Sequence, residues 1–290
     1  MENLLSPGFW DQEWERFRQR NAIAGQKKKP AHEYWNMRAE NFARATIESS
    51  SNRERVAQVF SFLNYFDILR PGISILDIGS GPGSFSIPFA EMGFDVVALD
   101  PAEKMLELLQ RNIPAGLPGK IETVNALWED FDVTREGLEG KFDLVFASMC
   151  PGIHTLQSIE KMLLCSRNWC YISAFSGSRK YPLHDQIFNR LFNENYRNWF
   201  NDIIFPFNLV YSLGYQPAIR FLNTKSKVSQ PALVFKDEIM KIINGRSPIT
   251  PEIESIIDRV IAEHSDNGLL EQQVLSVVGM MTWNKTQAGR

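Results

Sequence analysis

The stretch Leu76-Asp77-Ile78-Gly79-Ser80-Gly81-Pro82-Gly83 places a carboxylate two residues ahead of three alternating glycines. Glycines lack the Cβ that would otherwise keep a backbone turn from approaching a ligand closely. The preceding run, 73–78, is short and apolar, as expected of a buried parallel strand. A helix is expected over about 84–92, closed by Gly93. Its free N–H groups and positive dipole end would face the loop and favour an anion. This combination is suited to gripping a small polar ligand at the end of a strand.

Two further strand ends carry polar residues. Asp100 closes a predicted strand at 95–100, seventeen residues after Gly83. A carboxylate there can accept hydrogen bonds from both ribose hydroxyls of a nucleoside. It has a second reading, because Asp100-Pro101-Ala102-Glu103 is also a helix start with an aspartate N-cap, proline at N1 and glutamate at N3. The next strand, Ile121–Asn125, runs into Ala126, Leu127 and Trp128. Trp128 either lies on a bound ring or fills the core. The fourth, Phe142–Ser148, leads into Met149-Cys150-Pro151, and His154 follows on the side where ligands bind. His154 is the candidate general base, set against the plainer reading of a loop histidine.

Asp77-x-Gly79-x-Gly81-x-Gly83 resembles motif I of the class I S-adenosylmethionine-dependent methyltransferases. The resemblance covers about 73–175, with Phe142-Asp143 and its apolar run similar to the family's motif IV. It implies that Asp77, Gly79, Ser80, Gly81 and Gly83 hold the methionyl part of S-adenosylmethionine, and Asp100 with Pro101 its ribose. Asn125, Ala126 and Leu127 would then meet the adenine, and Ser148 the region of the transferable methyl. The family commonly has an aspartate where this chain has Asn125. The chemistry agrees, since a zwitterionic amino acid wants both a carboxylate and backbone N–H donors, whereas Asp77 would repel a pyrophosphate. The nicotinamide fingerprint also wants a third glycine at position 84, which is Ser84 here.

The elements that must position these residues alternate from 73 onward: strand, helix, strand, helix, with further strands at 169–175, 217–222 and 274–283. The expected fold is α/β, a doubly wound, mainly parallel seven-stranded sheet with a helical N-terminal extension and helical cap insertions. Residues 1–70 form the helical segment and 71–290 the Rossmann-like domain, interrupted by insertions at about 178–207 and 225–268. Within the first insertion His184, Phe188, Phe192, Tyr196 and Phe200 recur every four residues, a stripe equally suited to core or lid. Tyr34, Trp35 and Arg38, with Met149, are the substrate-lid candidates.

The chain of 290 residues has a formal net charge of −3, which gives no general attraction to nucleic acid or an anionic membrane. The one basic run, Lys27-Lys28-Lys29, reads as a solvated link. No apolar stretch approaches the length of a membrane span. Cys150, Cys165 and Cys170 lack metal-type spacing, so no metal is expected, and their odd number fits a reducing cytoplasm. The expectation is a cytoplasmic methyltransferase for a small-molecule acceptor, yielding S-adenosylhomocysteine. A nucleic-acid or protein methyltransferase and a non-catalytic cofactor-binding module are the rivals.

Overall fold

A computed structural model describes residues 4–20, 30–47, 50–197 and 201–287. The lysine run at 27–29, Trp199 and Phe200 lie outside the described residues. Three helices come first: α1 (Pro7–Arg20), α2 (Ala31–Ile47) and α3 (Ser50–Tyr65). Strands and helices then alternate through β1 (Ser74–Ile78), α4 (Ser86–Glu91), β2 (Asp95–Asp100), α5 (Glu103–Asn112), β3 (Ile121–Asn125), β4 (Phe142–Ser148), α6 (Leu156–Cys165) and β5 (Ser166–Phe175). The remainder comprises α7 (Pro182–Phe192), α8 (Ile204–Ser212), β6 (Ala218–Pro231), α9 (Ala232–Asn244), α10 (Pro251–His264), β7 (Ser265–Asp266) and β8 (Leu269–Asn284).

The sheet order is β3-β2-β1-β4-β5-β8-β6, with β1 to β5 parallel and β8 antiparallel to both neighbours. The seven expected strands form this path. The short β7, which the sequence did not suggest, pairs with β8 as an eighth. Alternation along the buried strands divides the core. Leu76, Ile78, Val145 and Ile172 meet Trp14 of α1, Met162 of α6 and Leu209 of α8. On the other face, Ile75, Phe146 and Tyr171 meet Leu63 of α3 and Phe89 of α4.

The second insertion differs from expectation. Residues 225–231 are strand rather than helix, because β6 pairs with β8 over its whole length, from Ala218↔Thr282 to Pro231↔Leu269. β5 stops at the Phe175↔Val278 pair, so the rest of this two-stranded ribbon projects past the carboxyl edge of the sheet. It carries α7, α9 and α10, whose Ile187, Phe188, Phe235, Ile239 and Ile257 make a separate apolar core with Leu270 of β8. His184 belongs to this cap interior, stacked 4.9 Å from Tyr196 and edge-on to Phe235 at 5.1 Å. The four-residue stripe is therefore cap packing in its described part.

Candidate functional site

Ligand-facing residues gather where β1, β2 and β4 end. Gly79, Gly81 and Gly83 all have positive φ (+71°, +55° and +94°). The amides of Gly79 and Ser80 donate to the carbonyl of Leu99 at 2.7 and 3.1 Å, which folds the loop back onto β2. A Cβ on Gly79 would stand 2.6 Å from Cys150 Sγ, so that glycine lets the loop touch the end of β4. Gly83 serves helix packing instead. A Cβ there would strike Leu109 and Ile87, so its absence allows α4 and α5 to meet.

Asp77 shares its sheet face with Ile75 and is buried, its Oδ2 accepting a 2.6 Å hydrogen bond from Ser86 Oγ. Burial raises its carboxyl to about 7, against the pull of Ser86; Asp100 adds to the rise and Arg55 opposes it. Asp100 is also buried and raised by desolvation, opposed by the amides of Ala102 and Gly81. Those amides reach Oδ1 at 2.8 Å and Oδ2 at 2.9 Å. Asp100 is not the N-cap of α5. That position falls to Ala102, and Asp100 instead braces the turn before the helix and the glycine loop together.

One pocket is lined by Asp77, Gly79, Ser80, Gly81, Asp100, Pro101, Leu127 and Ser148, as the sequence suggested for each. Trp35 and Met149 also line it, the latter with φ +56° and its amide on the carbonyl of Ser173 at 2.9 Å. Ser148 Oγ meets Ser173 Oγ at 3.0 Å. Trp128 packs in the core, as one of its two readings expects: it is buried and donates to the carbonyl of Ser158 at 3.2 Å, and it also borders the pocket.

Other expected residues stand apart. Gly83, Asn125 and Ala126 are not lining residues. Asn125 Nδ2 donates to the carbonyl of Asp100 at 3.0 Å and the amide of Ala126 reaches the same carbonyl at 3.3 Å, tying β3 to β2. Tyr34 and Arg38 stack on each other at 5.1 Å and leave the pocket to Trp35 and Phe42. His154 does not line the pocket either. Its Nδ1 lies 2.9 Å from the carbonyl of Pro151, and burial followed by the nearby Arg18 lowers its pKa. Cys150 does line the pocket, and burial pushes its thiol up to about 12, which disfavours the nucleophilic thiolate.

Arg55, Phe42, Ser84, Met105 and Glu129 also line the pocket, and sequence reasoning missed them. Arg55 left a signal, because it stands four residues before Val59 on the apolar stripe of α3, where a guanidinium needs a reason. It is held by Asn52 Oδ1 at 2.9 Å and lies 4.9 Å over the Phe85 ring. Burial lowers its pKa, and among the described residues no carboxylate comes within ion-pair distance of it. Ser80 Oγ and Ser84 Oγ are buried without a hydrogen-bond partner.

The segment 75–168, which holds the glycine loop, Asp100 and the end of β4, matches the family profile described as "Methyltransferase domain". Residues 75–168 belong to that family. The methyltransferase domain thus contains the pocket lining except for the contributions of α2 and α3. An uncharacterised protein of Haemophilus influenzae is 31% identical over 156 residues, 53% of this chain and 54% of that protein. The ribosomal RNA large subunit methyltransferase E of Wolbachia pipientis is 30% identical over 107 residues, 35% of this chain and 50% of the relative. The chain spans about half the length of these curated relatives. Among solved structures, magnesium protoporphyrin IX methyltransferase of Synechocystis with bound S-adenosylhomocysteine is similar over 95% of this chain and 98% of its own, with TM-score 0.46 and 15% identity. No helix among the described residues is long and apolar enough to cross a membrane, and among them no cluster could hold a metal.

Proposed function

We propose that this chain transfers a methyl group from S-adenosylmethionine to a small-molecule acceptor. The observation that carries the reading is the juxtaposition, in a pocket of the methyltransferase domain, of a buried carboxyl and a half-buried guanidinium, Asp77 and Arg55, beside unpartnered hydroxyls. An amino-acid zwitterion supplies what each lacks: an ammonium for Asp77 and a carboxylate for Arg55, with Ser80 and Ser84 as further donors. Asp100 keeps lone pairs for ribose hydroxyls beyond the two amides it already accepts.

When bound, S-adenosylmethionine supplies an electrophilic methyl on its sulfonium. The protein's share is alignment and exclusion of water. Gly79 and Gly81 let the backbone come close, Ser148 and Met149 form the wall at the end of β4, and Trp35 with Phe42 covers the loop from α2. No residue here is assigned to proton removal.

Support for a small acceptor is the aromatic cover that Trp35 and Phe42 of α2 place on the pocket. The ribosomal RNA methyltransferases among the relatives favour RNA as the rival acceptor. Methyl incorporation from labelled S-adenosylmethionine into a cell extract separated by size decides between them. Label in the metabolite fraction is expected. Label confined to RNA or protein would overturn the acceptor class, and label in no fraction despite cofactor binding would favour the non-catalytic module.

A further inference from the structure

We propose that the acceptor is a small carboxylic acid, methylated to its ester, and that Ser148 holds the accepting carboxylate through a hydroxyl pair shared with Ser173. The inference rests on the methyl-transfer reading above and names its acceptor class. The register of β4 and β5 sets Ser148 opposite Ser173. Their hydroxyls meet at 3.0 Å, and the amide of Met149, on the carbonyl of Ser173 at 2.9 Å, ties the two strand ends together. Ser148 lines the pocket, whereas Ser173 is buried behind it. Two residues earlier on the same face, Phe146 stacks on Tyr171 at 4.5 Å. The phenol of Tyr171 is buried and has no hydrogen-bond partner among the described residues. Burial raises its pKa, opposed by Ser173 and then by Arg55, so it remains a donor. A guanidinium offers no lone pair, which leaves Ser173 Oγ as the acceptor for it. Closing that bond turns the proton of Ser173 toward Ser148 and the proton of Ser148 into the pocket. Ser148 then donates to the ligand, and an oxygen anion is the strongest acceptor for it.

The rest of the lining points to the same acceptor. Alkyl amines, thiols and phenols are protonated near neutral pH and must lose that proton when methylated. Among the described residues the lining has no histidine, lysine or tyrosine to take it, and burial disfavours the Cys150 thiolate. Asp77 faces the cofactor's ammonium in the reading above, and Asp100 holds the amides of Gly81 and Ala102. The Glu129 carboxylate is turned toward Gly152 and His154, with one oxygen 3.8 Å from His154 Nδ1. A carboxylic acid arrives already ionised. Its oxygen bonds to the methyl carbon, the carbon–sulfur bond breaks with its electron pair left on sulfur, and a methyl ester and S-adenosylhomocysteine result. No proton has to be placed. Carboxylate and sulfonium lose their opposite charges together, a change that the apolar wall of Trp35, Phe42 and Met149 favours by keeping water out.

The test incubates purified protein and methyl-labelled S-adenosylmethionine with a cell extract, separates the metabolite fraction and treats it with mild alkali. Methyl esters release the label as volatile methanol, whereas methyl groups on nitrogen, sulfur or an ether oxygen stay in place. Volatile label is expected. Ser148→Ala should slow its formation roughly ten- to a hundredfold and Tyr171→Phe about tenfold. Ser148→Thr, which keeps the hydroxyl, should restore most of the rate. Melting temperature and calorimetric affinity for S-adenosylhomocysteine should stay close to wild type in all three, so a lost fold or lost cofactor is told apart from a lost acceptor contact. Alkali-stable label in the metabolite fraction, or an unchanged rate in Ser148→Ala, would overturn the proposal and leave small-molecule methylation standing. Label confined to RNA or protein, or no label at all, would instead overturn the reading on which the proposal stands, and the proposal with it.

Discussion

The amide of Gly81 donates a 2.9 Å hydrogen bond to Asp100 Oδ2, joining the middle of the glycine loop to the end of the neighbouring strand. The second oxygen of that carboxylate holds the amide of Ala102 at 2.8 Å. One side chain thus sets the loop's shape before any ligand arrives, and removing it should disturb two subsites together.

Asp100→Ala is expected to weaken S-adenosylhomocysteine binding by about 1.5–3 kcal/mol, the range of a charge-assisted hydrogen bond. Asp100→Asn should recover part of this, because an amide oxygen can still accept from one of the two backbone donors. Asp100→Ser cannot bridge both sites and should bind as poorly as alanine. Calorimetry on the three variants checks the order, and full affinity in the serine variant would remove Asp100 from ribose binding.

Gly79→Ala should lower stability by about 1–3 kcal/mol, since its Cβ must displace Cys150 at a backbone position with φ +71°. Gly81→Val should lose cofactor affinity and also some stability, about 1–3 kcal/mol, because its φ of +55° strains a branched side chain although among the described residues its Cβ would meet just Phe42, at 3.8 Å. Parallel thermal melts and titrations separate the two outcomes.

Arg55→Met is expected to cut affinity for S-adenosylhomocysteine about ten- to a hundredfold while leaving 5′-methylthioadenosine, which lacks the amino-acid portion, unaffected. Its melting temperature should change little, because Arg55 is half-buried without an ion pair among the described residues and methionine keeps the apolar contacts of its stem. Equal losses for both ligands would mean that Arg55 only supports the fold.

Asp77, with its carboxyl near 7, gives cofactor binding a pH dependence. An ammonium ligand binds the ionised form, so affinity should rise up to tenfold per pH unit as pH climbs toward 7, with proton release on binding. Titrations in buffers of different ionisation enthalpy measure that proton, and Asp77→Asn should abolish it. His184 acts in the opposite sense on the apo fold from Asp77. Burial lowers its pKa to about 4, so the unfolded chain binds the extra proton between about 6.5 and 4. Stability should therefore decline through that window as pH falls, at up to about 1.4 kcal/mol per pH unit. A buried, ionised Asp77 makes stability decline as pH rises from its unfolded value toward 7. Comparing acid denaturation of His184→Phe and Asp77→Asn with wild type resolves the two contributions.

The strands that carry the site were legible because each is a short apolar run ended by a glycine or a carboxylate: Ile78 before Gly79, Leu99 before Asp100. β6 is longer than its sequence suggests because Thr224, Lys225, Ser226 and Lys227 offer no apolar alternation, and pairing with β8 alone holds them extended. The β7–β8 hairpin did leave a signal in Asn267-Gly268, whose φ values of +48° and +77° suit a tight two-residue turn. The apolar periodicity of α10 just before it masks that signal. Arg55 and Glu129 escaped because a pocket wall built from α3 and the turn after β3 depends on packing between distant segments, which no local spacing records.

Whether the pocket at Asp77, Gly81 and Asp100 holds S-adenosylmethionine is tested most directly by thermal unfolding of the purified protein. S-adenosylhomocysteine and NAD⁺ are compared, each at matched excess. A ligand that binds only the native state at a hundredfold excess over its Kd adds about 2.7 kcal/mol of stability. The expected result is a clear rise in Tm with S-adenosylhomocysteine, its loss in Gly81→Val, and no rise with NAD⁺. A rise with NAD⁺ alone, or no rise with S-adenosylhomocysteine at any concentration, would contradict cofactor binding at this pocket.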